Sequence, residues 1–240
     1  MILDSEARLI RWGGWAAVAH VVGVVAILGL YLPRAAAGYP NDPYDAAALQ
    51  EYLAENLTFM TAAYWGLIAV YALWFPAYLG FHAALRRTRL PLLLGTTSGV
   101  LSGVLYMMLV AVFLGIAGLT GAYNEAGTRA TAEVMAEGMM AMARPLGVLV
   151  YVFFAIGGTV FALASLDVHA VPNWMGIAGL VGAVGGGIGS ALAIITGGAA
   201  ALFPLSNVAY LLSLVWFAGM GVKMVSGKIP AVSDTGVPGT

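Results

Sequence analysis

Leu92–Leu119 reads LLLGTTSGVLSGVLYMMLVAVFLGIAGL and contains no Asp, Glu, Lys, Arg or His. A helix rises 1.5 Å per residue, so about 20 apolar residues cross the roughly 30 Å of bilayer hydrocarbon. This stretch is long enough with residues to spare. Strict alternation of polar and apolar residues, which a membrane-barrel strand of about 10 residues would need, is missing. Only a helix then satisfies its own backbone groups in hydrocarbon.

The same pattern recurs outward from this segment in both directions. Apolar spans are predicted at about 14–32, 57–81, 92–119, 145–166, 174–196 and 205–225. The predicted fold class is therefore all-α: a polytopic membrane protein built as one six-transmembrane-helix bundle over residues 1–227, with a short polar tail at 228–240. Composition agrees. The chain of 240 residues is 61% hydrophobic and 9% charged, where a soluble domain carries about 25% charge, and its mean hydropathy is +0.92. Arg8 and Arg11 before an apolar run, with Ala35-Ala36-Ala37 after it, imitate a secretory signal. The run is too long for one, so an uncleaved first helix is expected.

Prolines punctuate the spans. Pro91, Pro145, Pro172 and Pro204 are expected at helix starts, where a missing N–H is harmless, and Pro33 at the end of the first span. Pro76, inside WFPAYLGFH, should kink the second span. Between the spans, Asp45–Glu55 and Thr128–Met142 have helix-forming composition, so they either extend spans two and four or lie along the surface.

Charge sets the expected orientation. Arg8, Arg11, Arg86, Arg87, Arg89, Lys223 and Lys228 fall on the side of the termini, and only Arg34, Arg129 and Arg144 on the other. The positive-inside rule then places both termini in the cytoplasm. Trp12, Trp15, Trp65, Trp174, Tyr31, Tyr64 and Tyr123 read as interfacial anchors.

Glycine spacing predicts close helix packing. In span five Gly182 and Gly186, and Gly185 and Gly189, stand four apart, the small-xxx-small arrangement that lets backbones approach. That face is expected either in the bundle interior or at a homodimer seam. Gly95, Gly99 and Gly103 form a second ladder, expected to meet span five.

Several function classes are excluded. With no cysteine there are no disulfides, thiolate nucleophiles or iron–sulfur ligands. No broad basic footprint for nucleic acid exists. A glycine run without a strand or lysine is no phosphate loop. No catalytic constellation stands out, so an enzyme is disfavoured, and no cofactor is expected.

The remaining candidates are individual residues. His20 lies well inside span one, where an ionisable group suggests function. It is read first as a histidine bonded to a neighbouring helix, and second as a cofactor or solute contact. His82 and His169 lie near the ends of spans two and four, too few with His20 for a bis-histidine two-haem site. Met135, Met139 and Met142 share a helical face and are soft ligands for Cu(I), although methionine more often fills apolar gaps. Arg144, Asn56 and Asn207, with His20, are the candidate contacts for a solute or lipid. Asn56-Leu57-Thr58 also fits a glycosylation triplet.

Ala7-Arg8-Leu9-Ile10-Arg11-Trp12-Gly13-Gly14, the long acidic loop after span one, and His82-Ala83-Ala84-Leu85-Arg86-Arg87 after span two carry a resemblance in layout. Over residues 8–227 the chain resembles a broad bacterial family of uncharacterised six-helix integral membrane proteins. The resemblance implies a bacterial inner-membrane location and supplies no catalytic residues. The sequence thus favours a structural or accessory subunit of a membrane complex. The alternatives are a small-solute or ion-coupled transporter and a haem-binding or lipid-modifying intramembrane protein. Expected partners are membrane lipids and either a membrane protein or further copies of the chain.

Overall fold

A computed structural model describes residues 2–35, 38–40, 42–197 and 202–229. The side chains of Tyr31 and Arg34, the Ala36-Ala37 pair and the tail from residue 230 lie outside the described residues.

Eight helices follow one another: α1 (Ile2–Ala35), α2 (Ala46–Ala72), α3 (Trp74–Leu85), α4 (Leu92–Gly118), α5 (Thr120–Asn124), α6 (Arg129–Asp167), α7 (Asn173–Ile195) and α8 (Leu202–Val225). They compose six stretches long and apolar enough to cross a membrane, because α2 and α3 form one span and α5 only extends α4. The protein is a six-transmembrane-helix bundle. The six crossings bring the first and last helices back to the same end of the bundle. The opposite end, with the long connections, is called distal below. Trp12, Trp15, Trp65 and Trp174 are all exposed on the bundle surface, as are Val22, Leu94, Val181 and Val208. An apolar surface of this kind is solvated by lipid tails.

Both segments flagged as helical extensions belong to the spans. Asp45 caps α2 by accepting from the Ala48 N–H at 3.0 Å, and the helix bends at Asn56, whose φ is −121°. The 39-residue α6 runs from Arg129 straight through Pro145. Pro145 therefore does not start a helix. It removes the N–H that would bond the Ala141 carbonyl, but both residues are exposed and the preceding turns are already helical. α1 likewise continues past Pro33 to Ala35. Pro91 and Pro172 are N-caps, and Pro204 sits in the first turn of α8. At the Pro76 kink the ladder is broken between α2 and α3, and the Leu73 N–H turns back to the Val70 carbonyl at 3.2 Å.

Glycine contacts hold the bundle together. A Cβ on Gly13 would lie 2.5 Å from the Gly80 Cα, so α1 and α3 cross with their backbones touching. Gly14 meets the Gly221 carbonyl in the same way, joining α1 to α8. In α7, Gly182 faces the backbone of Ser213, Gly185 faces Ala209, Gly186 faces Tyr210 and Gly189 faces Ser206, all on α8. Gly187 on the adjoining face meets Tyr151 and Ala155 of α6. These contacts lie within one chain. The α4 ladder points elsewhere than expected: Gly95 meets Val160 of α6, Gly99 meets Tyr78 of α3 and Gly157 of α6, and Gly103 faces Trp74. Span five does not receive it, because α6 lies between α4 and α7, in contact with both.

Around the kink an aromatic core fills the half of the bundle nearer the termini. Trp74, Tyr78, Phe81, Phe154, Phe161, Trp216 and Phe217 are fully buried there. Buried hydroxyls bond across helices. Trp216 donates to Ser165 at 3.0 Å, and Ser102 donates to the Val150 carbonyl at 2.9 Å.

Candidate functional site

The stripe Met60, Tyr64, Leu67 and Tyr71 recurs every three to four residues along α2 and so occupies one helical face. That face looks into a crevice behind the distal half of α1. The crevice has two lobes of about 280 and about 320 Å³. They share Ile27, Leu28, Leu67, Tyr106, Tyr151 and Asn207 and so adjoin. The crevice exists because α1 is clamped by glycine only at Gly13, Gly14 and Gly23. Beyond them the helix presents Ile27 and Leu28, which line both lobes.

Among the described residues, seven tyrosines line the two lobes: Tyr39, Tyr44, Tyr64, Tyr71, Tyr106, Tyr151 and Tyr210. The chain has eleven in total, so most of its phenols converge on one place. The rings of Tyr71 and Tyr106 stack with centroids 3.7 Å apart, and the Tyr71 and Tyr210 hydroxyls lie 3.0 Å apart. The Tyr151 hydroxyl pairs with Ser190. Tyr64 stacks on Phe113 at 5.9 Å and is 5% exposed, yet its hydroxyl has no hydrogen-bond partner among the described residues. Gln50 Oε1, Tyr78 Oη and Thr120 Oγ1 share that condition, but none of these lines the crevice. Among the described residues, no Asp, Glu, Lys, Arg or His lines either lobe.

A folded turn closes the distal end. The Tyr44 N–H donates to Asp42 Oδ1 at 2.9 Å, while Arg144 of α6 donates to Asp42 Oδ2 at 3.2 Å and to the Tyr44 carbonyl at 3.4 Å. The Tyr44 hydroxyl occupies the space a side chain at Gly147 would need. Burial pushes the Tyr44 phenol well above its ordinary pKa, and it stays neutral. At its side the crevice opens towards the bilayer, where α8 contributes Val208 and Leu211, exposed by 61% and 46%.

His20 lies under the crevice floor. Its ring packs edge-on against Tyr71 at 5.2 Å. Trp74 Nε1 donates to His20 Nε2 at 2.8 Å, and His20 Nδ1 lies 3.0 Å from the Val70 carbonyl. A carbonyl can only accept, so Nδ1 carries the proton and the ring is neutral. Both nitrogens are engaged at the α2–α3 kink, where the ladder itself is interrupted. The other histidines are distant from this point. His82 donates from Nδ1 to Thr96 at 2.8 Å. Exposed His169 holds a φ of 52° in the turn after α6, and neighbouring Asp167 accepts from Thr88 at 2.6 Å.

The other sequence candidates separate. Asn207 lines both lobes. Arg144 holds the distal turn and does not face the crevice. Asn56 donates to the Tyr52 carbonyl at 3.1 Å, at the bend in α2. Met139 packs on Gly115, whereas Met135 and Met142 are 51% and 56% exposed. No cluster of three metal-binding His, Asp or Glu residues occurs among the described residues. Tyr64, read as an interfacial anchor, is instead a buried wall of the crevice. The remaining wall tyrosines went unnoticed in the sequence. Their signal was the run of phenols at mid-span positions 71, 106, 151 and 210, where a lipid-facing hydroxyl would lack partners.

No family model, curated protein or solved structure matches this chain.

Proposed function

We propose that this protein is a non-enzymatic membrane protein that binds a small membrane-dissolved molecule in the tyrosine crevice. The observation that carries the reading is Tyr64: its side chain lines the cavity, and its buried hydroxyl is unpartnered among the described residues. A buried hydroxyl without a partner costs about 1–3 kcal/mol, and a bound molecule with an acceptor atom would offset that cost. The lobes fall near the lower end of the roughly 300–1,000 Å³ typical of small-molecule sites.

A bundle filled only by packing side chains would favour the structural or accessory role. The crevice moves the balance towards solute binding. Ion-coupled transport finds less support: the walls lack carboxylates, α7 stays helical through Gly185-Gly186-Gly187, and the Val70 carbonyl at the kink is taken by Leu73 and His20. The basic residues at the termini favour an N-in, C-in orientation, which puts the crevice in the outer half of the bilayer. Membership of the bacterial six-helix family, and with it an inner-membrane location, belongs to the same proposal.

Native mass spectrometry after gentle detergent extraction tests it. A stoichiometric small-molecule adduct on the intact chain is expected. Stoichiometric co-purification of other membrane polypeptides, with no adduct, would overturn the binding reading in favour of an accessory subunit.

A further inference from the structure

We infer that the crevice takes an uncharged amphiphile whose head is a flat, carbonyl-bearing ring, as in a lipid-soluble quinone, with Tyr64 donating to that carbonyl. The inference rests on the binding reading above and adds the chemistry of the ligand.

Four features narrow the class. First, no charged side chain lines the space among the described residues. A phosphate, carboxylate or ammonium head would be desolvated there without a counter-charge, a penalty of several kcal/mol in proteins. Second, a phenol is a good donor, and the Tyr64 hydroxyl has nothing among the described residues to donate to. A carbonyl oxygen is the simplest uncharged acceptor. Third, the walls are aromatic: Tyr64 lies parallel to Phe113 within 16°, and Tyr71 to Tyr106 within 17°. Each pair already covers its own facing surfaces, so a flat ring would meet these walls by edge-on or offset contacts, which favour an aromatic head over a bulky saturated one. Fourth, the flank of the crevice between α1 and α8 is lined by Val24, Val208 and Leu211. An apolar tail leaving there would run directly into lipid, so the molecule enters sideways from the bilayer.

Tyr64→Phe makes the inference testable, because it should move two measurements in opposite directions. Removing an unpartnered buried hydroxyl should leave the ligand-free protein as stable as wild type or more so. The same change should weaken binding about tenfold, the effect of one lost hydrogen bond to a ligand. The full chain is purified in dodecyl maltoside and titrated with decylubiquinone. Binding is read from quenching of tryptophan fluorescence, and stability from thermal unfolding without ligand. Leu67→Trp, which fills the part shared by both lobes, should abolish binding. It also serves if the phenylalanine variant folds poorly. The inference is supported by saturable quinone binding that Tyr64→Phe weakens without loss of melting temperature. Binding unaffected by either substitution overturns it. If farnesol binds with the same Tyr64 and Leu67 dependence while decylubiquinone does not, the ring-carbonyl class is wrong and the crevice remains a binding site. If neither probe binds, and native protein carries no adduct, the binding reading fails as well.

Discussion

Gly182→Ala perturbs the α7–α8 seam at a point where backbone meets backbone. A Cβ there would sit 2.8 Å from the Ala209 carbonyl oxygen and 2.8 Å from the Ser213 Cα, and closer still to the Ser213 amide nitrogen. These are backbone atoms, so no side chain can rotate aside. Ordinary contacts begin near 3.4 Å, and the closest approach, to the Ser213 amide nitrogen, therefore requires the two helices to part by about 1 Å. A gap of that size forfeits a quarter to a half of each dispersion contact, along a seam running from Gly179 to Gly189. Overpacking of this kind costs about 1–3 kcal/mol. Alanine recovers up to about 1 kcal/mol through helix propensity. The net expectation is a loss of about 1–2 kcal/mol, or a fall of about 2–8 °C in melting temperature for a chain of this size. Gly138→Ala is the matched control, since nothing lies within 4 Å of its Cβ position in α6; it should be neutral or slightly stabilising. The assay is the temperature at which the monodisperse peak collapses in fluorescence-detected size-exclusion chromatography. If Gly182→Ala melts at or above the Gly138→Ala temperature, α7 does not pack on α8 through this face.

Three further outcomes are expected. His20→Phe retains an aromatic ring but deprives Trp74 Nε1–H of its acceptor. It should lower stability by about 1–3 kcal/mol, and an unchanged melting curve would show that the α2–α3 kink does not depend on His20. Gly147→Ala should displace Tyr44 and expose the 38–45 turn to limited proteolysis. Arg144→Ala removes a half-exposed ion pair to Asp42, worth about 0–1 kcal/mol, and a long 3.4 Å hydrogen bond to the Tyr44 carbonyl, so it should do so less; the reverse ranking would count against the Tyr44–Gly147 contact as the main fastening. For topology, the naturally cysteine-free chain allows single labelling sites. In intact cells an impermeant maleimide should reach Gly127→Cys and miss Ser226→Cys, and the opposite pattern would invert the orientation.

Six spans were legible because hydrocarbon imposes a length and a composition that no other environment demands. The boundaries of α4 and α7 fell within a residue or two of their reading for that reason. Helix ends in water were harder to read. Composition marked 45–55 and 128–142 as helical, but whether they continued a span or lay flat depended on contacts with the rest of the bundle. Pro145 was misplaced because proline marks a helix start only when no helix already precedes it.

The site was the least legible part. Glycine spacing announced that helices would touch, and His20 announced a polar contact, because small residues and buried imidazoles each have few physical uses in a membrane. Neither said which helix would answer. Gly99 met Tyr78 and Gly157, not span five, and His20 met Trp74 and the Val70 carbonyl, fifty residues and more away in the chain. The crevice belongs wholly to the tertiary structure. Its seven tyrosines come from α2, α4, α6, α8 and the turn before α2, and each alone reads as an ordinary aromatic residue. What the sequence determined by itself was the solvent: 61% hydrophobic residues in six long runs require lipid, and lipid requires helices. What only the tertiary structure decided was which side chains meet around the crevice, because the Ile27-Leu28 pair, Tyr64, Tyr106 and Tyr151 stand far apart in the chain and come together only when the helices pack.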